Sequence, residues 1–121
     1  MIRNIFLVGL GGAFGAMLRY GISILFTALN WSSDIATFLV NVIGSFAIGL
    51  LSGCLPQGGW LLFATVGLCG GFTTFSTFSL QSLTFLQSGR YGAAALYILG
   101  SVAVCILFAL LGCWAAGRLR G

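Results

Sequence analysis

Four apolar stretches, each of about the roughly 20 residues a helix needs to cross a bilayer, alternate with three short polar interruptions. The stretches run from about 3 to 28, 35 to 54, 59 to 88 and 92 to 117, and the interruptions are Asn30-Trp31-Ser32-Ser33-Asp34, Pro56-Gln57-Gly58-Gly59 and Ser88-Gly89-Arg90. Between Asp34 and Arg90 the chain passes 55 consecutive residues, 35 to 89, without an ionisable side chain. The pattern predicts an all-α membrane protein, one transmembrane domain over residues 1 to 121, built from four spanning helices. Short connections make neighbouring helices antiparallel, and Ser33 or Asp34 is suited to cap the second of them.

Polar residues inside the spans break this apolar background. In the third span Gly70-Gly71 is followed by Thr73, Thr74, Ser76, Thr77 and Ser79. Glycines weaken a helix, and hydroxyls re-satisfy backbone groups freed in lipid, so a break is predicted between residues 70 and 74. Two readings of the break stay open: a kink made for packing, or exposed carbonyls able to hold a small cation. Phe75 and Phe78 stand i, i+3 just beyond it. The electropositive edges of such a pair can line an anion path, although lipid-facing or core phenylalanines are the ordinary explanation. Thr37, Asn41 and Ser45 in the second span, and Tyr97, Ser101 and Cys105 in the fourth, each follow i, i+4, i+8 and form a stripe on one helix face. Asn41 serves either as an interhelical hydrogen-bonding group or as an amide donor in a polar pathway.

Composition narrows the function. Hydrophobic residues make up 60% of the chain and charged ones 5%, too little polar surface for a water-soluble domain of this size. Glycine fills 19 of 121 positions, well above the usual share of about 7%, which predicts closely packed helices. The net charge of +4 comes from Arg3, Arg19, Arg90, Arg118 and Arg120 against Asp34, too dispersed for a nucleic-acid footprint. Arg3, Arg118 and Arg120 fall on one membrane face; Arg90, Asp34 and Arg19, at the end of the first span or a little inside it, fall on the other. So small an asymmetry allows insertion in both orientations and pairing as an antiparallel dimer, while a single weakly set orientation fits the charges as well.

Three further features are set aside. The cysteines 54, 69, 105 and 113 lie in apolar segments with no C-x-x-C spacing and behave as small hydrophobes. The N-terminal run lacks a cleavage site of small residues and is read as a retained first helix. Gly9-Leu10-Gly11-Gly12-Ala13-Phe14-Gly15 imitates a dinucleotide fingerprint, but Phe14 takes the third glycine position and no strand precedes it, so helix packing explains it better.

Three segments in order, Gly11-Gly12-Ala13-Phe14-Gly15-Ala16-Met17-Leu18-Arg19-Tyr20, Thr37-Phe38-Leu39-Val40-Asn41-Val42-Ile43-Gly44-Ser45-Phe46 and Gly70-Gly71-Phe72-Thr73-Thr74-Phe75-Ser76-Thr77-Phe78, resemble the CrcB/Fluc fluoride channels of microbes. The resemblance covers essentially the whole chain. It implies an antiparallel, dual-topology homodimer in the bacterial inner membrane that passively exports cytoplasmic fluoride, with a structural sodium ion at the dimer centre. On that likeness the backbone carbonyls of Gly70 and Thr73 would hold the sodium. Phe75 and Phe78 resemble the paired aromatics of each pore, and Asn41 the amide that contacts fluoride or orients the rings. Thr37, Thr74, Ser76, Tyr97 and Ser101 are similar in place to pore-lining polar residues, and Arg19 to a vestibule arginine. Cys105 stands where relatives often carry serine, and a thiol is only a weak donor.

Other function classes fit less well. A small four-helix multidrug exporter needs a carboxylate within a span, and the only acid, Asp34, sits beside a loop. A non-transporting membrane assembly subunit accounts for the glycines but not for two polar stripes meeting a broken helix. An enzyme lacks its chemistry here: the chain has no histidine, no acid pair and no nucleophile with a neighbouring base.

Overall fold

The computed structural model describes all 121 residues. Four membrane-length helical spans follow one another: Ile2–Ala28, Ser33–Cys54, Gly59–Gln87 and Tyr91–Arg120. The first two are α1 (Ile2–Ala28) and α2 (Ser33–Cys54). The third span is composite: α3 (Gly59–Leu62), a π-helical segment π1 (Phe63–Cys69), α4 (Gly70–Phe72) and α5 (Phe75–Gln87). The fourth is α6 (Tyr91–Arg120). Each expected span is present with ends shifted by a few residues. The cap of α2 differs from expectation: Ser32 takes the N-cap position, with extended φ and ψ, and makes no side-chain cap bond.

Small residues decide how these helices meet. With lipid outside, hydrophobicity does not drive helices together; close backbone approach does. Gly11 and Gly15 of α1 face Gly67 and Gly71 of the third span. A methyl added at Gly11 would strike the Phe63 carbonyl and one at Gly15 the Leu68 carbonyl, while one at Gly71 would strike the backbone of Gly12. The glycine-rich stretch that imitates a nucleotide fingerprint is therefore a helix-crossing seam. A second seam joins α2 to α6: Gly49 lies against Ala109 and Cys113, Gly112 against Phe46 and Leu50, and Gly53 against Ala116, which is 0% exposed. α5 packs on α6 and α2.

Two helices end in the same device. At the end of α1, Asn30 has φ 61°, its N–H donates to Thr27 O at 3.1 Å, and Trp31 N–H donates to Phe26 O at 2.9 Å. At the end of α5, Gly89 has φ 74°, its N–H donates to Leu86 O at 3.2 Å, and Arg90 N–H donates to Phe85 O at 2.9 Å. Both are Schellman caps, in which a left-handed residue lets two N–H groups reach back to orphan carbonyls. The side-chain contact that accompanies such a cap is Trp31 edge-on to Phe26 in the first (centroids 5.1 Å apart) and Arg90 over the Phe85 ring in the second (4.9 Å).

Candidate functional site

The third span breaks at Thr73 and Thr74, whose φ and ψ of −81°, 158° and −145°, 113° are extended. The glycine pair is not itself the break: Gly70, at −63° and −37°, is helical. What opens the backbone is a long-range exchange of partners with Asn41. Thr74 N–H donates to Asn41 Oδ1 at 2.8 Å, and Asn41 Nδ2 donates to Thr74 O at 3.1 Å. The Thr74 N–H that a continuous helix would return to the Gly70 carbonyl is thereby diverted. One residue further on the same happens again: Thr77 N–H, the helical donor for the Thr73 carbonyl, bonds to Thr74 Oγ1 at 3.2 Å as the N-cap of α5. The carbonyls of Gly70 and Thr73, singled out from the resemblance, thus both lose their i+4 donors to side-chain oxygens.

Beside the break lies a cavity of about 360 Å³. Asn41, Gly70, Thr73, Thr74, Phe75, Phe78 and Ser101 all line it, together with Ser45 and Cys105. Gly44 makes room there, because a Cβ on it would run into the Thr73 methyl group. Donor capacity is concentrated on two of these residues. Asn41 has one amide N–H left after its bond to Thr74. Ser101, only 5% exposed, is the sole residue with a buried side-chain polar atom that lacks a hydrogen-bond partner. Such an atom in an apolar helix is costly and calls for a ligand.

The phenylalanine pair is split by environment. Phe78 is 8% exposed, Phe75 is 77% exposed, and their centroids lie 5.5 Å apart. Phe78 continues into Tyr97 at 5.2 Å, and Tyr97 into Phe85 at 5.7 Å with ring edges meeting faces. Tyr97 OH donates to Gln81 Oε1 at 2.6 Å. Sequence reading passed over Gln81; its signal was an amide one turn beyond Phe78, on the same stripe of α5, among apolar neighbours.

The remaining candidates fall outside the cavity. Thr37, buried, donates to Ser33 O at 3.0 Å, one turn beyond Asn41. Tyr97 stands one turn beyond Ser101 in the same direction. Ser76 is exposed and lies 3.4 Å from Thr74 Oγ1, within the capping cluster. Arg19 is not at the end of its span: it sits within α1 and its Nε donates to Gly71 O at 3.1 Å. Burial so close to the break puts a cation within the span, tied to a backbone carbonyl, which is the usual way a membrane charge is tolerated.

Comparison with known proteins agrees with this arrangement. The family described as CrcB-like protein, Camphor Resistance (CrcB), matches residues 6–113. A protein of Azobacteroides pseudotrichonymphae named fluoride-specific ion channel FluC is 41% identical over 118 residues, covering 93% of this chain and 94% of its own length. One of the same name from Thermus thermophilus is 43% identical over 130 residues, covering 99% and 98%. A third, from Methylobacterium nodulans, is 44% identical over 109 residues, covering 85% and 87%. With four apolar spans, bacterial relatives of this kind across nearly its full length and a family match over most of its residues, this multi-pass membrane protein belongs to the CrcB-like family.

Proposed function

We propose that this protein is a fluoride-selective channel that lets cytoplasmic fluoride leave down its electrochemical gradient. The observation that carries the reading is the partnerless Ser101 hydroxyl, buried in a cavity whose other walls are the Asn41 amide and the Phe78 ring beside the broken third span. The named activity of the relatives supports it. Fluoride accepts hydrogen bonds strongly and sheds its water only where donors replace it; uncharged hydroxyl and amide donors with aromatic edges do so, and they offer nothing to a cation. In acidic surroundings fluoride enters cells as neutral HF and is trapped as the anion near neutral pH. A passive leak driven by the inside-negative potential is then enough, and no chemical step is required.

The working unit in this reading is an antiparallel homodimer. Phe75, Gly70 and Ser76 are exposed beside the cavity of the single chain, and a second copy would enclose them. At the dimer centre the carbonyls of Gly70 and Thr73 from each subunit would hold a sodium ion. Their diverted i+4 donors support that assignment, since a carbonyl released from its helix is free to ligate a hard cation. The test is efflux from liposomes holding fluoride, with potassium permeability supplied. Fluoride should leave, chloride should stay, and Phe75→Ile and Phe78→Ile should each suppress the flux. Equal passage of chloride would overturn the reading, and transport of a quaternary ammonium dye against protons would replace it with the exporter.

A further inference from the structure

The geometry points to Arg90 as the anion-collecting residue at the mouth of the pathway, an assignment that rests on the channel reading above. From the break, rings follow one another without a gap along one face of α5 and onto α6: Phe75 to Phe78, Phe78 to Tyr97, Tyr97 to Phe85, at 5.5, 5.2 and 5.7 Å. The row ends at the guanidinium of Arg90, 4.9 Å from the centre of the Phe85 ring. The polar stripes run the same way, since Thr37 and Tyr97 lie beyond the cavity on the side of the loop that holds Arg90.

Arg90 is held there from two directions. Its backbone N–H bonds to Phe85 O at 2.9 Å, closing the cap of α5, and its side chain lies on the ring of that same residue. In the matching cap after α1 this position is Trp31, packed on Phe26. A hydrophobe is what the cap ordinarily takes. A cation in its place keeps the contact as a cation–π pair while leaving the charge in water, for Arg90 is exposed. A fixed charge at a channel entrance raises the local anion concentration, and steering of this kind speeds association roughly 10- to 1,000-fold at low ionic strength. Asp34, in the first turn of α2 at the same membrane face, opposes it.

Purified wild type, Arg90→Gln, Arg90→Lys and Arg118→Gln are reconstituted, and fluoride efflux is measured over a range of fluoride concentrations at about 10 mM and about 300 mM ionic strength, where the Debye length falls from about 30 Å to below 10 Å. Arg90→Gln should raise the half-saturating fluoride concentration about 3- to 10-fold at low ionic strength with the maximal flux kept, and the difference should shrink below about twofold at high ionic strength. Arg90→Lys should restore most of the loss. Arg118→Gln, which removes a cation also seated on a ring, Trp114, but at the other membrane face, should change neither value. An equal loss at both ionic strengths, or a lower maximum with unchanged half-saturation, would make Arg90 a structural anchor and overturn the inference, as would no change at all. If Arg90→Gln does not assemble, Asp34→Asn tests the same field with the opposite sign: low-salt flux must rise, and a flat response overturns the inference. Failure of wild type to pass fluoride in any salt refutes the channel reading itself.

Discussion

Asn41→Ala is the substitution that most directly tests how the break is held. Two hydrogen bonds, at 2.8 and 3.1 Å, tie the Asn41 amide to both backbone groups of Thr74. Side-chain hydrogen bonds between membrane helices average about 0.6 kcal/mol and reach about 1.7, so losing the pair costs about 1 to 3 kcal/mol. The cost does not reach the several kcal/mol of two abandoned backbone groups, because Thr74 N–H has a fallback. It can return to the Gly70 carbonyl and rebuild the helix. That repair closes the break and takes back the carbonyl proposed for sodium. A shift of this size changes the ratio of broken to continuous geometry about 5- to 150-fold. Fluoride efflux from liposomes should fall by a comparable factor, while denaturation of the detergent-solubilised protein shifts by no more than about 3 kcal/mol. Flux within twofold of wild type, together with an unshifted denaturation midpoint, would refute the argument that Asn41 creates the break.

Other substitutions separate structural from functional roles. Ser101→Ala removes a buried hydroxyl that has no partner, so stability should hold or rise by about 1 kcal/mol while fluoride flux falls; a loss of stability would mean that the hydroxyl is structural. Thr74→Ala deletes the cap on Thr77 N–H and should cost about 1 kcal/mol in detergent unfolding, with flux reduced alongside. Gly112→Val drives a side chain into the Phe46 carbonyl and should cost about 1 to 3 kcal/mol, or block assembly of α2 on α6. Gly117→Ala, with open space around it, should be neutral or stabilising by up to about 1 kcal/mol; the two glycine variants can be compared by the same denaturation assay.

How much of this was legible in the sequence depended on the range of the interactions involved. The spans were readable because residues 35 to 89 carry no ionisable group, and only lipid makes such a stretch stable. Close packing by glycine was readable from its abundance. The break was readable from the cluster of hydroxyls after Gly71, but its cause was not. The glycines stay helical and serve the crossing with α1, while the opening depends on an amide 33 residues earlier in the chain. Arg19 was placed near the end of its span because a charge prefers water; the Gly71 carbonyl, which accepts its Nε–H, holds it further in. π1 has no proline or other local mark. Its sign is a Gly70 N–H that reaches Thr65 O, a bond of five residues that no propensity announces.

π1 carries a consequence for how this chain can vary in length. A π turn accommodates one residue more than the α-helix around it, and each residue of an α-helix turns the following side chains by about 100°. Deleting a single amino acid between Phe63 and Cys69 would let the segment relax to ordinary helix without unfolding it. Everything downstream would then either swivel or be dragged against the α1 seam, with Thr73 turned away from Gly44 and Phe78 from Tyr97. The span would keep its hydropathy and its length to within one residue, and still aim its machinery in the wrong direction.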